Sequence, residues 1–199
     1  MQFPKRVAAI VCERYVSPNH KQPKTGGVAM RLFVYCFIAV SFLIARPAFA
    51  GCDTDLAAST GHLTVDFANG TVSDSRTKLM WKRCSEGFTN VTCTTGSAGT
   101  YTWSSALNLP TAANSGSGFA GYKNWRLPNI KELQSIVEEK CSNPSIDTAA
   151  FPNTPAARVW TNSPSADSGY SWYVDFSSGV AIDGLNDNSY DVRLVRDML

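Results

Sequence analysis

YKNWRLPNIKELQSIVEEKC, Tyr122 to Cys141, is the stretch whose reading decides the fold. Asn129 stands where a helix N-cap belongs, and Glu132 three residues later completes an Asn-x-x-Glu capping box. Ile130, Leu133, Ile136 and Val137 recur at helical spacing and predict one buried stripe, leaving Lys131, Gln134, Glu138 and Glu139 to face water. Lys140 suits the negative end of the helix dipole, and Asn143-Pro144 ends the run, so the helix is expected over about 129–141. Trp125, Arg126, Leu127 and Pro128 lead into it. A Trp-Arg pair can stack on a sugar and fork onto a carboxylate. Beside a helix start, where packing is tight, the structural reading is favoured: Trp125 fills core and Arg126 anchors the entrance.

On either side the pattern changes from a period near four to a period of two. HLTVDFANGTVSDSRTKLMWKRC alternates apolar and polar residues, with Asn69-Gly70 as a hairpin-turn dipeptide and SDSRT as a second turn. TWSSALNL predicts a shorter helix over about 103–109, with Thr102 as its cap. RVWTNSP, YSWYVDFSSG, VAIDG and YDVRLVRD are short, aromatic or β-branched, and separated by Gly, Asn, Asp and Ser. Strands, then helices, then strands predict an α+β domain with a mainly antiparallel sheet.

The amino-terminal quarter reads differently. Leu32 to Ala45 is an uncharged apolar run of fourteen residues, preceded by Arg31 and followed by Ala48-Phe49-Ala50. A bilayer span takes about 20 residues, so the run suits the core of a signal peptide over 30–50, cut before Gly51. Residues 1–29 read as a misassigned start ahead of Met30, or as an extended n-region without folded structure. Residues 51–199 then form a single domain of ordinary size, with no transmembrane segment expected in it. Phe49-Ala50-Gly51-Cys52 also resembles a lipoprotein box. The soluble form is preferred over lipidation of Cys52, which would leave an odd thiol among the rest.

Cleavage reverses the charge argument. Residues 1–50 hold 7 of the 18 Lys and Arg and 1 of the 16 acids, leaving 11 basic against 15 acidic residues, a balance of −4. The basic excess that would favour nucleic acid lies in the part removed. Four of the 6 cysteines remain: Cys52, Cys84, Cys93 and Cys141. An even number in an exported chain favours disulfides. Three connectivities are open. Cys84 and Cys93 flank a short polar loop, so they pair locally and Cys52 pairs with Cys141. No cysteines stand at zinc-ligand spacing, and His62 is the one histidine after the cut.

GTVSDSRTKLMWKRC, YKNWRLPNIKELQSIVE, FPNTPAARVWTNSP, SWYVDFSSG and YDVRLVRD, in this order over Gly61 to Asp197, resemble the bacterial Lcl C-terminal domain family. The resemblance implies a C-type-lectin-like fold in secreted or surface-attached proteins. The family's founding adhesin binds sulfated glycosaminoglycans through trimers on a collagen stalk. This chain has no Gly-X-Y stalk and an acidic mature region, so fold and location carry over better than ligand. The expected function is a secreted or surface-exposed, non-enzymatic adhesion domain recognising extracellular glycans; the alternative is a structural subunit of an envelope or appendage assembly.

A formylglycine-generating type of enzyme is a less favoured reading. Such enzymes share the lectin-like fold but use a reactive cysteine pair near the carboxyl end, and no cysteine follows Cys141. Glu138 and Glu139 are neighbours on a helix and diverge by about 100°. His62 has no nucleophile motif to serve. No catalytic residues are assigned.

Ligand candidates come from rings and amides in the last third. Tyr101, Tyr122, Tyr170, Trp172, Tyr173 and Tyr190 exceed what a core of this size requires, and exposed rings stack on sugar faces. Alternation in YSWYVDF puts Tyr170, Trp172, Val174 and Phe176 on the core face, with Tyr173 and Asp175 on the surface. These two, with Tyr190, Asn186 and Asp187, are the candidate binding residues. Asp183, Asn186, Asp187 and Asn188 form a weaker calcium candidate, because a turn before a strand uses the same residue types. No other cofactor is expected.

Overall fold

The computed structural model describes residues 51–52 and 61–198. The readings of residues 1–50 lie outside them. In chain order the elements are β1 (Gly51–Cys52), β2 (Leu63–Asp66), β3 (Thr71–Asp74), β4 (Leu79–Lys82), β5 (Thr100–Tyr101), α1 (Trp103–Ala113) and α2 (Ile130–Gln134). There follow β6 (Cys141–Ser142), β7 (Arg158–Pro164), β8 (Tyr170–Asp175), β9 (Val180–Leu185), β10 (Tyr190–Asp191) and β11 (Val195–Asp197). A five-stranded sheet runs β5-β10-β7-β8-β9 and a four-stranded sheet β11-β4-β3-β2, while β1 pairs with β6. Among these pairings β10 with β7 is parallel and the rest are antiparallel, so the α+β reading holds.

Turn chemistry sets the register of the four-stranded sheet. The Asp66 carboxylate accepts from the backbone of Ala68 and Asn69, and Gly70 closes the turn at φ +66, where a Cβ would meet Val91 at 2.8 Å. The buried Asp74 does the same in the next turn, accepting from the backbone of Arg76 and Thr77 and from the Thr77 hydroxyl. With both turns fixed, Val65, Val72, Trp81 and Val195 line up across the strands. They join Leu133, Ile136, Phe151, Val159, Val174 and Phe176 in one apolar core.

A second core lies against the opposite face of the five-stranded sheet. Ala106 of α1 packs there with Trp125, Leu127, Trp160, Tyr173, Tyr190, Val192 and Leu194. The middle of that sheet is therefore covered on both faces, with Val159 and Val174 in one core and Trp160 and Tyr173 in the other.

The two helices reverse their expected lengths. α2 stops at Gln134, with Ser135 as its C-cap, although the capping box of Asn129 and Glu132 is present. Val137 leaves the helix to bridge Ile146, Glu138 is buried instead of facing water, and Cys141 is drawn into pairing with Cys52. One turn of helix plus an extended run places Leu133, Ile136 and Val137 on the core as well as a long helix would. α1 starts at the Thr102 cap as expected and continues through Pro110 to Ala113. Asn114 closes it by donating to Pro110 O at 2.9 Å and fastening the Trp125 backbone at both N–H and C=O.

Both expected disulfides form. Cys84–Cys93 closes a loop of 9 residues and Cys52–Cys141 one of 89. In the chain-entropy model such bridges contribute about 2–3 and about 4–5 kcal/mol respectively.

Candidate functional site

The Trp-Arg-Leu-Pro segment joins the sheets. Arg126 and Val195 exchange backbone hydrogen bonds at 2.8 and 2.9 Å, and Pro128 O accepts from Asn162 of β7 at 2.8 Å. Trp125 and Leu127 are buried, and the Trp125 indole donates to Phe119 O at 2.9 Å. The Arg126 guanidinium forks onto both oxygens of Glu132 at 2.8 and 2.9 Å and reaches Asp197 at 3.0 Å. Glu132 also accepts from Asn129 N, so one carboxylate caps the helix and holds the arginine. The pairing with Glu132 raises the Arg126 pKa against the opposing effect of burial. Both Glu132 oxygens are taken up within this network.

A concavity of about 300 Å³ opens across one end of β5, β10, β7 and β8 in the five-stranded sheet. It is lined by Ala156–Arg158, Asp175, Ser177, Ser189–Asp191 and Thr100. β7 contributes Arg158, directly opposite Asp175 of β8. Arg158 lies 3.5 Å from Asp175, with half of its side chain exposed. The same guanidinium stands 5.4 Å from the ring centres of both Tyr173 and Tyr190 and donates to the Tyr190 hydroxyl at 3.3 Å. That hydroxyl also accepts from Asn188 Nδ2 at 3.0 Å. Burial opposes the ionised form of Asp175, but hydrogen bonds from Ser177 and the Arg158 charge together hold its pKa below the usual carboxylate value.

Asp191 is the exception to this satisfaction. It is 3 % exposed, and its Oδ2 has no hydrogen-bond partner. Burial pushes its pKa up to about 6, against the attraction of Arg193. Arg193 is itself buried, with its pKa lowered to about 9 by desolvation. It donates to Lys82 O, Arg83 O, Ser85 Oγ and Thr154 Oγ1, none of which is a carboxylate. An unpaired buried carboxylate costs stability, and such groups concentrate at functional sites.

The sequence candidates scatter around this concavity. Asp175 and Tyr190 line it, but the Tyr190 ring is buried against Trp160, with centroids 4.4 Å apart. Tyr173 is 5 % exposed and is not the surface residue that alternation predicts. Alternation separates a wet face from a dry one, and here both faces of β8 are dry at Tyr173 and Val174. Tyr170, expected in the core, is exposed. Tyr122 is also exposed, though the Arg196 guanidinium lies over its ring at 3.8 Å. Of the expected rings, Tyr173 and Tyr190 are thus absorbed by core packing, whereas Tyr122 and Tyr170 stay exposed.

The calcium candidates do not converge. Asp183 accepts from Ser165 at 2.6 Å, and Asn188 turns to Tyr190. Asn186 fastens the turn to α1 by accepting from Trp103 N, and Asp187 faces outward. Among the described residues no group of three or more His, Cys, Asp or Glu is placed to hold a metal. Arg158 and Asp191 were missed in the sequence. Their one signal was a charge set among apolar and aromatic neighbours, in RVW and in YDV.

The Lcl C-terminal domain family matches residues 70–196, from the Gly70 turn to β11. The chain belongs to this family. No curated protein matches it. The match covers the β3–β4 hairpin, the Trp-Arg-Leu-Pro joint and the residues that line the concavity. Among the described residues no helix is long and apolar enough to cross a membrane.

Proposed function

We propose that this Lcl C-terminal domain is an exported, non-enzymatic binding module of C-type-lectin-like build, acting in adhesion through recognition of a saccharide. The observation that carries the reading is the concavity in which half-exposed Arg158 meets Asp175, with Ser177, Ser189 and Thr100 also in its lining. Arg158 offers N–H donors and Asp175 offers acceptors, the pair of functions that a sugar's vicinal hydroxyls engage. Two disulfides suit an oxidising compartment outside the cytoplasm. They also occupy Cys52, Cys84, Cys93 and Cys141, which removes these as thiol nucleophiles and speaks against formylglycine-type chemistry. A glycan array probed with the oxidised protein, with and without calcium, tests the reading. Specific signals that fall away in Arg158→Ala are expected, and no binding above background sinks the saccharide version.

One observation favours a second reading, a structural subunit of an envelope or appendage assembly. β9 is an edge strand and exposes Val180, Ile182 and Leu185, with Tyr170 of β8 opposite Leu185. Pull-down from envelope extracts separates the two: a stoichiometric protein partner lost on Ile182→Lys, together with a blank array, replaces the first reading with the second.

A further inference from the structure

The edges of the two larger sheets are not equally protected. The edge strands β2, β5 and β11 run for 4, 2 and 3 residues, whereas β9 runs for 6. β9 pairs with β8 position by position without a bulge, and among the described residues no strand pairs with its outer side. Natural sheet edges are blunted by shortness, lysine, proline or a bulge. β9 has none of these, and its one charge is Asp183. Register puts Val180 and Ile182 on one face, beside Asp175 and Tyr173, and Asp183 and Leu185 on the other, beside Trp172 and Tyr170. Val180, Ile182 and Leu185 are all exposed. The charge around this edge has one sign. From Val159 to Val192 the chain carries Asp167, Asp175, Asp183, Asp187 and Asp191, with no Lys, Arg or His. Arg158 compensates Asp175, and Asp191 is buried. Asp167, Asp183 and Asp187 enter no ion pair among the described residues. They gather at the Leu185 end of β9, where the turns carrying Asp167 and Asp187 are tied by Asn186 N donating to Gly169 O at 2.9 Å.

We propose that the outer edge of β9 takes an extended, basic segment of a partner protein, added to the sheet as a further strand. This rests on the second reading above, a subunit of an assembly, and names the chemistry of its partner. In strand addition the backbone supplies affinity, and side chains at alternate positions select the sequence. Aliphatic side chains of the segment cover Val180 and Ile182 on one face. On the other face its Lys or Arg side chains meet Asp183, with Asp167 and Asp187 at the same end. The segment therefore alternates apolar and basic residues. A second copy of this chain supplies only the first of these, because its own Val180–Leu185 edge brings no cation to the three aspartates.

Short capped peptides titrated into the oxidised protein, with hydrogen exchange read at the β9 amides, test this. One peptide alternates Lys and Val, a second alternates Glu and Val, and a third holds the Lys and Val of the first in two separate blocks. The alternating Lys-Val peptide is expected to bind at least about tenfold tighter than the other two. It should slow exchange across Val180–Leu185 and weaken as salt is raised. Ile182→Lys, at an exposed position, is expected to lower its affinity by at least about tenfold. The peptide series needs no variant, so a failure of Ile182→Lys to fold leaves the test intact. Equal binding of the Glu-Val peptide overturns the inference and leaves the assembly reading standing, as does binding that leaves the β9 amides unprotected. A dimer of the protein alone that protects the same amides gives the edge to a second copy, and the inference falls. No binding of any peptide also overturns it. A pull-down partner still lost on Ile182→Lys then preserves the assembly reading, whereas a blank pull-down removes both.

Discussion

Arg126 and Arg158 both face carboxylates, and the surroundings make them different kinds of residue. Arg126 meets Glu132 with two parallel hydrogen bonds and Asp197 with a third, and Glu132 is simultaneously the cap of α2. Arg158 sits 3.5 Å from a single carboxylate, half in solvent, with an unpartnered acid in the same lining. The first arrangement is closed: each group has its partner inside the fold, and removing one strands the others. The second is open: its groups retain bonding capacity that the fold does not use. In this domain the Trp-Arg-Leu-Pro motif is spent on structure, and the less conspicuous RVW and YDV segments carry the unspent chemistry.

The comparison breaks most visibly at Trp125. Trp125→Ala removes a side chain 2 % exposed, together with its bond to Phe119 O, and is expected to cost about 3–5 kcal/mol in urea unfolding. Arg126→Ala should cost about 2 kcal/mol, mostly because Glu132 loses its fork and the helix entrance loosens. If either variant bound a sugar less well than its fraction folded explains, the structural side of the contrast would be wrong.

Asp191→Asn should act in the opposite direction. The folded-state pKa near 6 lies above the ordinary Asp value of 3.8, so the ionised form disfavours the native state. That penalty is absent well below pH 4, grows between about 4 and 6, and is complete above 6. The variant should therefore unfold about 1–2 kcal/mol later than the parent at pH 7.5 and gain nothing at pH 3.5. A gain that is the same at both pH values would remove ionisation as its cause. Arg158→Ala closes the series, with stability changed by no more than about 0.5 kcal/mol and glycan-array signal lost. A large destabilisation there would turn Arg158 into a second Arg126.

How much of this could be read in advance depended on how local the physics was. The capping box, the Thr102 cap, the Asp66 and Asp74 turns and the short Cys84–Cys93 loop are settled by residues within a few positions of each other, and all were legible. The length of α2 was not. Leu133, Ile136 and Val137 satisfy helical spacing, but the exit at Ser135 is set by Ile146 and Cys52, both distant in sequence. Tyr173 failed for a related reason, since its burial depends on α1 covering a face that alternation assigns to water. The concavity needs β7, β8 and β10 brought together, and a parallel β10–β7 pairing leaves no mark in either strand.

The bridge between Cys52 and Cys141 also routes mechanical load. A pull applied at Gly51 enters β6 through sulfur and bypasses residues 53–140, because the covalent loop takes the tension in place of the peptide chain. The four-stranded sheet's β2, β3 and β4, both helices and the Trp-Arg-Leu-Pro joint all fall within the bypassed span. Force from Gly51 towards a ligand at Arg158 travels instead along the run from β6 into β7. In the oxidised domain, single-molecule extension from Gly51 should leave that loop unextended, and reduction should release it as added contour length.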